Sequence, residues 1–385
     1  MADAGFLIVG ASQAGAQLAT SLREFGATCP ITLVGAEEHL PYQRPPLSKA
    51  YLSGKVEADS LLLRSAAYYA EQGIDVVTGE WIEDIDLAAN GGRATSASGR
   101  TFDFDGLALT VGGTPRRLPV PGADLGNVFY LRDLADAAAL RTALGAAQRV
   151  VVVGGGFVGL EAAAVANDLG KDVIVVEALD RLMARVVAPV VSQFYLQAHE
   201  SRGVRVLLDT GVVGLSGTGT VSSVELSDGS SLAADIVLVG IGLVAHTTLA
   251  EQLGLEVAGG IVIDAHARTS RPAVVAAGDC TALRSEDGPL RIESVANAIA
   301  QGRAAAATLA GVHDPPVRGS VVLVRPRRHQ APDRRSQLRI RRRRAARRPG
   351  EPAVLRALLP GGPAHRHRRD QRAPRLHGRP EDSRG

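Results

Sequence analysis

Twice before residue 180 the chain runs from a short apolar stretch, through a glycine-rich turn, into a segment with helical spacing. No other feature limits the fold so closely. In the first unit Phe6 to Val9 has strand length, GASQAG occupies residues 10–15, and AQLATSLREFG spaces its apolar residues helically as far as Gly26. In the second, Val150 to Val153 is a β-branched strand, and GGGFVG supplies Gly154, Gly156 and Gly159 at full GxGxxG spacing. The small-residue helix LEAAAVANDLG and the strand DVIVVE, ending at Glu177, follow.

A strand that turns this tightly into a helix aims the helix's first amides at the turn, where an anion is favoured. Gly10 permits the turn, a small residue at position 12 lets backbone approach a pyrophosphate, and Gly15 permits close helix packing. Ser12 stands where a second glycine is usual. Taken alone, the first turn could be a simple connection. The second copy and two acids favour dinucleotides: ITLVG (31–35) ends beside Glu37, and Glu177 lies 23 residues after Gly154, each able to accept a ribose hydroxyl. A carboxylate at Glu177 would repel a 2'-phosphate, so the reading is NADH rather than NADPH; the alternative is a solvated strand end. Two such folds in one chain imply a bound redox relay and a diffusible hydride donor, and the natural pair is FAD and NADH.

Other segments fit that pair. YQRPPLSKAYL (42–52) reads as a Pro-rich, non-helical stretch whose Arg44 and Lys49 can bring cations to a phosphate or flavin. DIVLVGIG (235–242) and VVAAGDCTAL (274–283) read as strands broken at glycine. Asp279 in the second could reach a hydroxylated ligand chain or cap a following helix. Cys29 and Cys280 form no CxxC, and the nine His have no metal-ligand spacing, so neither a disulfide framework, a redox dithiol nor a metal is expected. The opening MADAGFLIVG lacks a signal-peptide layout and no apolar run has spanning length, which points to the cytoplasm and away from membranes.

In order along the chain, YQRPPLSKAYL, LTVGGTPRRLPVPG, GGGFVGLEAAA, VGIG, AAGDC and RIESVANA closely resemble the FAD-dependent NADH:ferredoxin reductases of cytochrome P450 and aromatic-ring oxygenase systems. The resemblance covers about residues 5 to 317. It implies an α/β fold of two nested Rossmann-like domains, with an FAD domain of residues 1–113 and 241–317 and an NADH domain of residues 114–240 inserted in it. It places FAD on Gly10, Ala14, Gly15, Glu37, Lys49, Ile82, Arg132, Asp279 and Val295, and NADH on Gly154, Gly156, Val158, Gly159, Glu177 and Gly242. It also implies that Lys49 and Glu161 pair beside the flavin, although a helix-start acid and a surface cation would look the same in sequence. Hydride would pass from nicotinamide to flavin, and single electrons from flavin to a ferredoxin-type iron-sulfur protein. Ala36, Val111, and Ala245 with His246 depart from the family's pattern, and His246 reads as a loop residue rather than a base.

The last 65 residues do not continue the resemblance. Residues 1–320 carry 23 basic and 35 acidic groups, whereas residues 321–385 carry 20 Arg and 5 acids with no aromatic, so the formal charge of +3 averages −12 and +15. Such a tail is expected to be disordered in place of the family's α+β third domain. Shifted by one base, the possible codons of residues 321–336 permit WFWSDHADIKLQIAG, and those of residues 365–378 permit IGIDAINAPRDYM, both family text in the family's order. Residues 318–385 therefore read as an out-of-frame remnant, with one base extra or two missing near residues 317–320. Two alternatives follow: RIRRRRAARR (339–348) as a nucleic-acid or acidic-membrane patch, which lacks any aromatic platform, or a defective flavoprotein that binds nucleotides but cannot reduce its partner.

Overall fold

The computed structural model describes residues 4–88 and 90–312. The expectations for the Arg-rich tail lie outside the described residues.

Strand β1 (Phe6–Val9), helix α1 (Gln13–Glu24) and strand β2 (Ile31–Val34) form the first glycine-turn unit. Helix α2 (Ala66–Glu71) leads to β3 (Ile74–Val77). Strands β4 (Ile82–Leu87), β5 (Gly92–Ser96) and β6 (Thr101–Phe104) form a separate antiparallel sheet, before β7 (Gly106–Leu109) returns to the first sheet and β8 (Gly113–Pro115) leaves it. The same plan then repeats. After β9 (Val128–Tyr130) and α3 (Leu134–Ala146) come β10 (Arg149–Val153), α4 (Phe157–Asp168) and β11 (Asp172–Val176) around the second turn, followed by α5 (Pro189–Glu200) and β12 (Arg205–Leu207). A second antiparallel sheet, β13 (Val212–Thr218), β14 (Thr220–Leu226) and β15 (Ser231–Ala233), precedes β16 (Ile236–Val239). The chain ends its described course with β17 (Leu243–Ala245), α6 (Thr248–Gln252), β18 (Ile261–Ile263), β19 (Val274–Ala276), β20 (Thr281–Leu283) and α7 (Val295–Leu309).

The two main sheets have orders β19-β7-β1-β2-β3 and β9-β16-β10-β11-β12, and all pairings within them are parallel. In each, the strand before the glycine turn is central, and the turn opens at its carboxyl end, where such sheets bind ligands. The first sheet takes β19 from residues beyond the whole second sheet. Both sheets are covered on both faces, which is why their strands are nearly continuous aliphatic runs. In the second, Val150, Val152, Val173 and Val175 pack into one cluster while Val151, Val153, Ile174 and Val176 pack into another on the opposite face. In the first, Leu7, Ile8, Leu33, Leu107 and Leu109 are buried with α1 and α7 against them.

Two local readings change. Residues 42–52 are not wholly non-helical: Pro45–Ser48 forms a turn of 3-10 helix, since prolines at its start already have the required φ and lack an amide the helix would leave unused. Asp279 is followed by strand β20 rather than by a helix, so it has no helix start to cap.

Candidate dinucleotide site

The two glycine turns are built alike. Gly10 and Gly154 have φ of 115° and 104°, where an L side chain is strained. A Cβ on Gly10 would lie 2.3 Å from the Thr110 carbonyl oxygen, and one on Gly154 2.5 Å from that of Gly240. Gly15 and Gly159 stand where the helix crosses its own turn: their Cβ atoms would be 2.1 and 2.4 Å from the carbonyl oxygens of Gly10 and Gly154. Ser12 and Gly156 are the N-caps of α1 and α4, and neither helix has a side-chain cap bond. By contrast α2, α3 and α7 are capped by Ser65, Asp133 and Ser294. The turns thus combine a backbone cradle with helix amides left for an anion, which fits a dinucleotide pyrophosphate.

Around the first turn the expected residues come together. Glu37 forms an ion pair with Arg44 and accepts a hydrogen bond from the Tyr42 hydroxyl. Burial pushes the Tyr42 hydroxyl well above its ordinary pKa, so it stays protonated and donates. Burial opposes the Arg44 charge, but its acidic surroundings, Glu37 among them, outweigh it. Arg44 also donates to Ser12 Oγ at 3.3 Å and to the Arg132 carbonyl at 2.7 Å, so its cation spans the position that departs from glycine. Arg132 in turn pairs with Asp279 at 3.1 Å. Gly278, next to Asp279 in the chain, packs against Ala14, since a Cβ on it would lie 3.0 Å from the Ala14 Cβ. Val295 opens α7 and is 40% exposed, whereas Ile82 opens β4 and is buried.

At the second turn Glu177 accepts hydrogen bonds from the amides of Gly155 at 2.7 Å and Leu179 at 2.9 Å. Val158 and Phe157 stand exposed at the start of α4. Gly242, with φ of 109°, lies under the Arg185 guanidinium. Lys49 Nζ is 2.7 Å from Glu161 Oε2, and Ser48 donates to the same oxygen at 2.6 Å. A residue pair from the first unit is thereby tied to the first helix of the second.

Sequence reasoning passed over Ser48, Tyr42 and Thr110. Thr110 Oγ1 donates to the Gly10 carbonyl at 2.7 Å and braces the first turn from the neighbouring strand. All three lie in segments that carry the resemblance, but Ser48 and Thr110 have remote partners, Glu161 and Gly10, 113 and 100 residues away.

Residues 5–302 match the family model of the pyridine nucleotide-disulphide oxidoreductases. The chain belongs to this family. The oxidoreductase is 42% identical over 308 residues to rhodocoxin reductase of Rhodococcus erythropolis, a match covering 79% of this chain and 72% of that one. It is 42% identical over 318 residues to putidaredoxin reductase of Pseudomonas putida, covering 80% and 75%. Its structure is similar to a reductase in the covalent putidaredoxin reductase-putidaredoxin complex, with TM-score 0.77, 40% identity, and coverage of 82% and 78%. The ferredoxin reductase of the CYP199A2 system from Rhodopseudomonas palustris gives TM-score 0.78 at 39% identity, covering 82% and 78%. Despite the family's description, the oxidoreductase has two cysteines, at positions 29 and 280, far from dithiol spacing. Cys280 is fully buried, and burial pushes its thiol up to about 11, which keeps it unreactive.

Proposed function

We propose that this oxidoreductase carries FAD on the first glycine turn, takes NADH on the second, and delivers electrons singly to a ferredoxin-type iron-sulfur protein serving a P450 or ring-hydroxylating oxygenase. The observation that carries the proposal is the Lys49–Glu161 pair with Ser48, which joins the two nucleotide-binding units at one point. The relatives named for rhodocoxin, putidaredoxin and ferredoxin support the choice of partner. FAD when bound supplies a carrier that accepts a hydride and releases electrons one at a time.

The chain's residues orient and insulate that carrier. Gly10, Ser12, Ala14 and Gly15 cradle its pyrophosphate, and Glu37 takes the adenosine ribose. Arg132 and Asp279 hold the linking chain, with Ile82 and Val295 closing either end. Arg44 fixes Glu37 and Ser12 rather than contacting phosphate as a free cation. Lys49 sets a positive charge beside the isoalloxazine, and Glu161 fixes its position. Gly154, Gly156, Val158 and Gly159 receive the second pyrophosphate and nicotinamide, Gly242 leaves room beside them, and Glu177 selects NADH by its charge.

Membership of the two main sheets supports a nested layout: an FAD domain of residues 1–113 and 241–317, and an NADH domain of residues 114–240. We assign the protein to the cytoplasm; among the described residues no helix is long and apolar enough to cross a membrane. We assign residues 318–385 to an out-of-frame reading, and resequencing across codons 317–320 decides it: an uninterrupted frame with no base added or missing removes that assignment. Function is tested by measuring retained flavin, then NADH-dependent reduction of ferricyanide and of an iron-sulfur protein. Retained FAD with NADH oxidation coupled to both acceptors is expected, and a flavin-free protein would overturn the proposal.

A further inference from the structure

Beyond Glu37, the first site is bordered by residues outside the glycine motif. The amides of Gly79 and Glu80 donate to the carbonyls of Glu37 and Gly35 at 3.0 and 2.9 Å. The chain entering β4 therefore runs alongside the backbone of Gly35 and Glu37, whose carboxylate is assigned to the adenosine ribose. Its next residue is Trp81, the single tryptophan of the sequence, and it is 52% exposed. Trp81 meets the ring of His246 edge-on, with centroids 5.6 Å apart and planes at 79°.

His246 is anchored rather than loose. Its amide donates to the Gly112 carbonyl at 3.0 Å. Gly112 lies against the guanidinium of Arg132, which is paired with Asp279. Burial and the Arg132 charge lower the pKa of His246, so its imidazole is neutral near pH 7. Two aromatic rings from remote segments, one just before β4 and one just after β17, thus converge next to Ile82, on the edge of the site that holds Glu37. On the FAD reading the Lys49–Glu161 pair marks the isoalloxazine end and Glu37 the adenosine ribose, so the chain before Trp81, bonded to the backbone of Gly35 and Glu37, borders the purine end. A half-exposed indole supported on one edge offers apolar area and a π-face that match a purine.

We propose that Trp81 and His246 form an aromatic wall of the adenosine end of the FAD site, with the indole packing against adenine. This rests on the FAD reading above. The test follows Trp81 emission while flavin-stripped protein is titrated with ADP, which carries the base but no flavin to absorb the emitted energy. ADP is expected to change the emission in a saturable way that disappears when the protein is preloaded with FAD, and pyrophosphate alone is expected to leave it unchanged. Trp81→Ala should weaken FAD binding about tenfold, and Trp81→Phe should recover most of that loss.

If FAD binds, shown by its visible absorbance, but ADP leaves the emission unaltered or pyrophosphate alters it equally, the wall is overturned and the FAD reading stands. Parent-like FAD affinity in Trp81→Ala overturns it in the same way. Failure of the stripped and refolded parent to bind FAD at all sinks both.

Discussion

The two glycine turns share a backbone and differ in what surrounds their acids. At the first, Glu37 is locked to Arg44 and Tyr42, and Arg44 reaches on to Ser12 and the Arg132 carbonyl. At the second, Glu177 is held by the two amides of Gly155 and Leu179, while Phe157 and Val158 face solvent. The first is a side-chain network drawn from several segments of chain, the kind of setting that retains a ligand. The second is a local, open arrangement that a nucleotide can enter and leave. On the proposed function, one backbone device serves a resident and a visiting nucleotide, and the side chains around it separate the roles.

Filling the turns breaks the comparison most severely. In Gly10→Ala and Gly154→Ala a strained φ and a Cβ inside contact distance of a carbonyl coincide, a cost on the order of 3 kcal/mol, or about a hundredfold in binding. Gly10→Ala should purify without flavin. Gly154→Ala should keep its flavin and show an NADH KM raised about a hundredfold; equal flavin loss in both would erase the division of roles.

Next in size is the link between the units. Glu161→Gln keeps an acceptor for Ser48 but removes the charge paired with Lys49. Flavin content should stay at parent level while the rate of flavin reduction by NADH, read by stopped flow, falls about tenfold, corresponding to about 1.4 kcal/mol in the barrier. An unchanged rate would reduce the pair to a structural tie. A smaller effect is expected at Glu177→Ala: the kcat/KM preference for NADH over NADPH should narrow about fivefold, with flavin content untouched. A preference equal to the parent's would remove Glu177 from selection.

Much of this was legible because local sequence and local structure agree. The Phe6–Val9 and Val150–Val153 strands, both glycine turns and the helices after them form where strand length, small residues and helical spacing place them. What was not legible depends on distance along the chain. The supply of β19 to the first sheet, the bond from Ser48 to Glu161, and the meeting of Trp81 with His246 join segments whose local patterns carry no mark of one another. Glu37 shows a different limit. Its position beside a strand end could be read, but its engagement by Arg44 and Tyr42 could not, because the chain returns to it through an irregular segment with no periodic pattern.

The smallest expected effect concerns how each sheet fastens its central strand. In the first, the Gly5 amide donates to Asp105 at 2.7 Å just before β7. In the second, Asp235 at the same place before β16 accepts from the amides of Gln148 and Arg149 at 3.0 and 2.8 Å, and it also pairs with the Arg149 guanidinium. The Arg149 side chain, followed by those amides, holds the Asp235 carboxyl well below the usual carboxylate range. Its folded pKa therefore lies under the unfolded value of about 3.9. The stabilisation is fully present above that value and is lost as pH falls through the folded one. Because Arg149 is exposed and screened by solvent, the effect should be small. Asp235→Asn should lower Tm by about 1–2 °C at pH 7, and the gap to the parent should begin to narrow as pH falls below about 3.9 and go on narrowing towards the folded value. A gap that stays constant with pH would mean that the charge on Asp235 does not fasten this strand, whether through the guanidinium or the amides.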